Sequence, residues 1–103
     1  MTNTMNPETT KTVAARMAKE EVSARRRINE KLADFTRNRY FDGLPISALC
    51  AMLEAEGFDA ENLMGIYCGA TGKVHEQVGP RTWFRMDWYR MESGRYEVTA
   101  YLS

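Results

Sequence analysis

The chain has 103 residues, of which 44% are apolar and 27% are charged, and its formal net charge is zero. A chain of this size buries about 65% of its unfolded surface, which supports one modest core without metal or disulfide staples. No run approaches the ~20 apolar residues of a membrane span, so we expect no membrane partner. The composition is that of a globular protein, and we expect a single domain at residues 7–103 that follows a flexible tail at residues 1–6.

The N-terminus and the two cysteines together predict a cytoplasmic protein. Residues 1–6 are polar and carry no apolar segment of a secretory signal. Cys50 and Cys68 form neither a CxxC pair nor a dense framework, so we expect both thiols to be reduced.

The first predicted element is a long helix. Asn6 fits the cap position, Pro7 fits the first turn, and no Gly or Pro follows before Arg39. A continuous helix of that length measures about 50 Å, whereas a compact chain of this size is roughly 30–35 Å across. We therefore expect the helix to bend, to break into two, or to carry a homodimer contact. The apolar seam for that contact consists of Val13, Met17, Ala24 and Ile28.

The same segment is basic. Residues 11–40 contain nine Lys or Arg residues against four acidic ones, whereas residues 41–103 contain five against nine. Such asymmetry is typical of a nucleic-acid-binding arm or of a surface for an acidic partner. The residues that could make these contacts are Arg25, Arg26, Arg27, Arg37 and Arg39.

Acidic residues at helical spacing favour another interpretation, a solvated helix with ion pairs along its surface. The predicted pairs are Arg16–Glu20, Glu21–Arg25, Arg26–Glu30 and Lys31–Asp34. A nucleic-acid-binding regulator is therefore the second hypothesis for this chain.

A second, shorter helix follows a turn at residues 40–44. Pro45 opens it, and Gly57 supplies the left-handed residue that ends many helices, with Phe58 folding back on the last turn. Apolar residues recur in this helix at helical spacing, which predicts a face buried in the core. They are Ile46, Leu49, Cys50 and Leu53.

The rest of the chain is predicted to be strands. Residues 63–68 and 73–78 form two, and residues 81–103 form a hairpin rich in aromatic side chains. The predicted fold is thus α+β, with one long and one short N-terminal helix followed by a four-stranded antiparallel β-meander in two layers.

The predicted register of the hairpin depends on its loop. If Ser93 and Gly94 form a two-residue loop, Glu92 lies opposite Arg95 and Arg90 opposite Glu97, which gives two pairs of opposite charge. This register predicts an apolar strip on the sheet face away from the helices, suited to protein binding. The strip consists of Phe84, Met86, Trp88 and Tyr101. The alternative is that other strands or a loop cover these four side chains.

Residues for catalysis are sparse. Cys68, His75 and Asp87 are the residue types of a nucleophilic site, but no helix N-terminus follows Cys68 to activate its thiol. A small enzyme with a Cys/His site is the third hypothesis, and we predict no catalytic residue, cofactor or metal.

The sequence therefore predicts a non-enzymatic protein-binding module or small inhibitor that occupies a surface of another protein or protein complex. Small chains without recognisable catalytic residues are common among phage- and plasmid-encoded antagonists of host factors, including anti-CRISPR and anti-restriction inhibitors. This class is the expectation for the present chain.

Overall fold

A computed structural model describes residues 7–65 and 72–103, with side chains from residue 19 onward. The elements, in chain order, are α1 (Pro7–Thr36), β1 (Tyr40–Phe41), α2 (Ile46–Ala55), a short 3-10 helix (Glu61–Gly65), β2 (Lys73–Gly79), β3 (Thr82–Arg90) and β4 (Tyr96–Leu102). All neighbouring strands are antiparallel, in the order β1-β4-β3-β2. The predicted α+β fold of two helices and a four-stranded antiparallel sheet is confirmed.

The fourth strand is not the predicted one. Glu61–Gly65 is a 3-10 helix, so the strand predicted from Leu63 is wrong there, and Cys68 lies outside the described residues. The Asp59 carboxylate accepts a hydrogen bond from the Glu61 N–H at 3.0 Å, a local turn that competes with strand pairing. The sheet is completed instead by β1, which pairs with β4.

Helix α2 begins and ends where the sequence predicts. Pro45 precedes its first residue, and Gly57 has a φ of 86°. The Gly57 N–H donates to the Glu54 carbonyl at 3.0 Å, and the Phe58 N–H donates to the Leu53 carbonyl at 3.0 Å. These two bonds form the Schellman motif, which turns the Phe58 ring into the core.

One core lies between the helices and a single face of the sheet. Helix α1 contributes Ala24, Ile28 and Leu32, and α2 contributes Leu49 and Leu53. The sheet meets them with the even-numbered residues of β3 and β4, because successive side chains of a strand point to opposite faces. These are Phe84, Met86, Tyr96, Val98, Ala100 and Leu102.

The β3–β4 hairpin has a loop one residue longer than predicted. The Met91 N–H donates to the Arg95 carbonyl at 2.8 Å, and the Gly94 N–H donates to the Met91 carbonyl at 2.9 Å. Gly94 has a φ of 88°, which completes a three-residue loop from Glu92 to Gly94. Arg90 therefore lies opposite Tyr96 rather than Glu97, and the predicted charge pairs are absent from the described hairpin.

This shift of one residue reverses the two faces of β3 relative to β4. Phe84 and Met86 are 0% exposed, and Trp88 is half-buried against the core. Tyr101 is 42% exposed but belongs to the opposite face, where it lies across from Arg85. The prediction that Phe84, Met86, Trp88 and Tyr101 share one exposed strip is therefore wrong.

The predicted dimer seam along α1 is also corrected in part. Helix α1 is one continuous helix, so the alternative that it breaks into two is excluded between Pro7 and Thr36. Ala24 and Ile28 are buried in the core of the same chain, which leaves neither free for a second copy. The side chains of Val13 and Met17 lie outside those that the structure describes. Among the described residues, no helix combines the length and apolar character of a membrane span.

Candidate protein-binding surface

The sheet face opposite the helices carries the odd-numbered residues of β2, β3 and β4, together with Tyr40 of β1. We call it the outer face. Its residues are Tyr40, Lys73, His75, Gln77, Trp83, Arg85, Asp87, Tyr89, Glu97, Thr99 and Tyr101. Helices α1 and α2 pack on the other face, so neither covers the outer face.

Four aromatic side chains of the outer face are open to solvent. Tyr89 is 68% exposed, Tyr40 52%, Tyr101 42% and Trp83 39%. They come from β1, β3 and β4. Tyr40 and Tyr89 lie on either side of Glu97 at one end of the face, and Trp83 and Tyr101 are diagonal neighbours at the other end. Among the described residues, only Val22 and Met64 are comparably exposed large apolar side chains elsewhere.

The charges of the outer face are balanced. Lys73 lies opposite Asp87 across β2 and β3, and Glu97 lies opposite Tyr89 across β3 and β4. Arg85 donates from Nε to the Ser103 hydroxyl at 2.9 Å. Two cations and two carboxylates thus share the face, which gives it no net charge.

Contacts within the face hold two of its large side chains. The Trp83 indole lies against the His75 ring, with centroids 4.7 Å apart and planes tilted by 50°. The hydrogen bond to Ser103 holds the Arg85 guanidinium at the end of β4. Side chains that are already ordered lose less conformational entropy when a partner binds.

Trp83, Tyr89 and Tyr40 were not predicted from the sequence to be exposed aromatic residues of one surface. A signal was present in β3, because Arg85 and Asp87 lie on the same face as Trp83 and Tyr89. Two charged side chains in one alternating set mark that set as the solvent face.

The arginines predicted to contact phosphates do not share one surface. Successive residues of a helix point about 100° apart, so Arg25, Arg26 and Arg27 face three different directions.

Arg25 and Glu21, predicted to pair with each other, instead hold the turn between β2 and β3. The Arg81 carbonyl accepts from Arg25 Nη1 at 2.7 Å, and the Arg81 N–H donates to Glu21 Oε2 at 3.1 Å.

Arg27 and Lys31 both contact Glu56 at the end of α2. Arg27 Nη2 lies 3.1 Å from Glu56 Oε2, and Lys31 Nζ lies 3.3 Å from Oε1. These hydrogen bonds, the one from Arg27 first, hold the pKa of the Glu56 carboxyl below its usual value. Two helical cations therefore join α1 to α2.

Arg37 pairs with Asp34 in an exposed contact of 3.4 Å, so the predicted Lys31–Asp34 pair is wrong. Between the described side chains of Arg26 and Glu30 there is no ion pair, which corrects that prediction also. The predicted pair of Arg16 and Glu20 lies outside the described side chains.

Arg39 lies against two phenylalanine rings. Its guanidinium carbon is 4.8 Å from the Phe35 ring centroid and 5.2 Å from that of Phe41. The two rings contact each other with centroids 5.4 Å apart. Arg39 thus helps to connect the end of α1 to β1.

The predicted nucleophilic site is only partly described. Cys68 lies outside the described residues, whereas His75 and Asp87 both lie on the outer face. Cys50 is buried, with its Sγ 3.7 Å from the Ala60 carbonyl. Burial, with a smaller effect of the nearby Glu54, raises the pKa of the Cys50 thiol, which opposes formation of a reactive thiolate.

Comparison of the chain with protein-family models, with curated proteins and with solved structures finds no match.

Proposed function

We propose that this chain is a protein-binding module whose outer face occupies a surface of another protein. The observation that carries the proposal is the group of four exposed aromatic rings on one sheet face, formed by Tyr40, Trp83, Tyr89 and Tyr101. Tyrosine and tryptophan combine a large apolar ring with a polar group, and both are enriched at protein interfaces and among residues that dominate binding energy.

The charge of the outer face favours a protein over a nucleic acid. Binding of a phosphate backbone requires a clear excess of cations. The outer face balances Lys73 and Arg85 with Asp87 and Glu97. Of the predicted phosphate contacts on α1, Arg25 and Arg27 are engaged within the chain, which weakens support for the nucleic-acid alternative.

The area of the outer face is too small to form a standard-size protein interface by itself. Strand spacing of about 4.8 Å and a rise of about 3.4 Å per residue give three seven-residue strands a flat area of about 350 Å². A standard-size interface buries about 800 Å² on each partner. A long-lived complex therefore has to include residues beyond this face.

The test is a comparison of matched alanine variants. Tyr89→Ala combined with Tyr101→Ala removes two rings from the outer face, and Met64→Ala removes an exposed apolar side chain from the 3-10 helix. Immobilised wild-type protein and both variants are incubated with an extract of the source cells, with and without nuclease, and bound proteins are quantified.

We expect wild type and Met64→Ala to retain one and the same protein in equal amounts. The double variant should retain about tenfold less of it, and nuclease should not release it. A change of tenfold corresponds to about 1.4 kcal/mol, which is modest for two interface aromatics. Equal retention by the double variant, or release by nuclease, would contradict the proposal. Inhibition of the partner, as by a phage- or plasmid-encoded antagonist, stays a prediction.

A further inference from the structure

Strand β4 has an open edge. On one side β4 pairs with β3 along its length, whereas on the other side β1 pairs only with Tyr96 and Glu97. From Val98 to Leu102, no described strand lies beside that edge.

The hydrogen bonds of the hairpin show which main-chain groups face this edge. Trp83 and Ser103 exchange two backbone hydrogen bonds of 2.9 Å each. In an antiparallel pair such residues alternate, so the odd-numbered residues of β4 bond to β3. The N–H and C=O groups of Val98, Ala100 and Leu102 therefore point to the open edge.

Asn29 of α1 closes one end of the edge. Its Oδ1 accepts the Leu102 N–H at 2.6 Å, and its Nδ2 donates to the Leu102 carbonyl at 2.9 Å. The side-chain amide thus makes the two bonds that a neighbouring strand would make. Ala100, two residues earlier, has no such partner among the described residues, although it is only 5% exposed. The main-chain groups of buried residues are nearly always paired, with water or with protein, and an added strand would satisfy both groups of Ala100.

A groove of about 490 Å³ runs along this edge, beside the C-terminal turns of α1. It extends from Asn29 on α1 to Arg37, the residue after the helix, about 12 Å at 1.5 Å per residue, and from Glu97 to Tyr101 on the strand, about 14 Å. The two lengths agree, and they match four residues of extended chain. Ala33, a small and exposed residue of α1, lies in the helix wall and leaves room for that chain.

The charges of the groove select its occupant. Arg37 and Arg39 are its cations, and Glu97 is its single carboxylate. Asp34 engages Arg37 only through a solvent-exposed pair, which contributes little to stability and leaves the guanidinium available. A second copy of the chain would bring the same two arginines and one glutamate to the edge, so two surfaces of net positive charge would face each other and repel. An acidic segment would be attracted instead.

We propose that the open edge of β4 binds an acidic peptide segment of a partner protein in extended conformation, as a short added strand. Main-chain bonds to Ala100 supply the affinity, and Arg37 with Arg39 selects acidic side chains. Tyr40, Glu97, Thr99 and Tyr101 of the outer face also line the groove, but the proposed contacts use the main chain of Ala100 and two arginines that are not part of that face. Variants at residues 33 and 37 therefore test this site separately from the outer face.

The first test uses an acetylated and amidated five-residue peptide of alternating glutamate and valine, titrated into the ¹⁵N-labelled protein. We expect the Ala100 amide and its neighbours on β4 to shift. The same peptide with N-methylated valines should bind about tenfold more weakly, because it lacks donors for the edge. A lysine–valine peptide that binds as well as the glutamate peptide would overturn the proposal, as would shifts confined to the outer face.

Matched variants complete the test. Ala33→Tyr fills the groove and should weaken glutamate-peptide binding at least tenfold, whereas Ala51→Tyr, at an exposed alanine of α2, should leave it within twofold. Arg37→Ala should weaken binding by about threefold, whereas Arg26→Ala, an equal change of charge outside this groove, should not. Unchanged binding by Ala33→Tyr would overturn the site, and so would sedimentation showing a wild-type dimer that Ala33→Tyr dissociates.

Discussion

The register of the β3–β4 hairpin predicts that alanine substitution of two aromatic residues of β3 lowers the free energy of unfolding by very different amounts. Phe84 is 0% exposed and Tyr89 is 68% exposed. Phe84→Ala removes a buried ring and leaves a cavity, which should lower the free energy of unfolding by about 3–5 kcal/mol. Tyr89→Ala changes a side chain that is mostly in water, so we expect a loss below about 1 kcal/mol, within the range of β-propensity differences.

Urea denaturation of both variants measures these losses, and thermal unfolding gives an independent reading. In a domain of about 100 residues each kcal/mol lowers Tm by roughly 4–8 °C, so Phe84→Ala should lose at least about 12 °C. Because both variants replace an aromatic residue of the same strand by alanine, each is a control for the other. Equal losses, or a larger loss for Tyr89→Ala, would refute the register and with it the assignment of the outer face.

Three further outcomes follow from the structure. Gly94→Ala, at a φ of 88°, should cost about 1–2 kcal/mol in urea denaturation, whereas Gly43→Ala, where a Cβ meets open space, should not destabilise the fold. The pKa of the Glu56 carboxyl is lowered in the folded state, so its ion pairs stabilise the fold at neutral pH. This stabilisation is lost as the pH falls below the ordinary value of 4.5. Between pH 7 and pH 3, Glu56→Gln should therefore lose less free energy of unfolding than wild type. Fluorescence anisotropy at about 0.15 M salt should detect no binding of DNA or RNA, and a micromolar affinity abolished by alanine at residues 25–27 would instead support the nucleic-acid-binding alternative.

Short-range signals were sufficient to predict α2. Pro45 and Gly57 fix its two ends through backbone conformations that depend on neighbouring residues alone. Its buried face followed from helical spacing, and Leu49 and Leu53 are both in the core. The fold class could be derived in the same way, whereas the position of β1 between the two helices could not.

Contacts between elements that are far apart in the sequence could not be derived. The two residues of β1 are too few to show any periodicity, and their position depends on contacts such as that of Phe41 with Phe35. Arg27 and Lys31 contact Glu56, far along the chain, rather than acidic residues one helical turn away. Such contacts depend on how the elements pack, which helical spacing does not encode.

The hairpin shows how one local choice changes a functional prediction. Two-residue and three-residue loops both fit Glu92-Ser93-Gly94, and the shorter loop was favoured by opposite charges at Glu92 and Arg95. In the structure Arg95 instead pairs with Asp42 at 3.3 Å. The single-residue difference in loop length moved the predicted binding surface to the buried side of β3.

Site-specific photo-crosslinking tests the central claim, that the outer face contacts a partner protein, most directly. A benzoylphenylalanine group replaces Tyr89 on the outer face in one protein and Met64, which is 62% exposed in the 3-10 helix, in another. After irradiation in an extract of the source cells, we predict one crosslinked protein from position 89 and none of that product from position 64. A crosslink to nucleic acid from position 89, or the same protein crosslinked only from position 64, would contradict the claim.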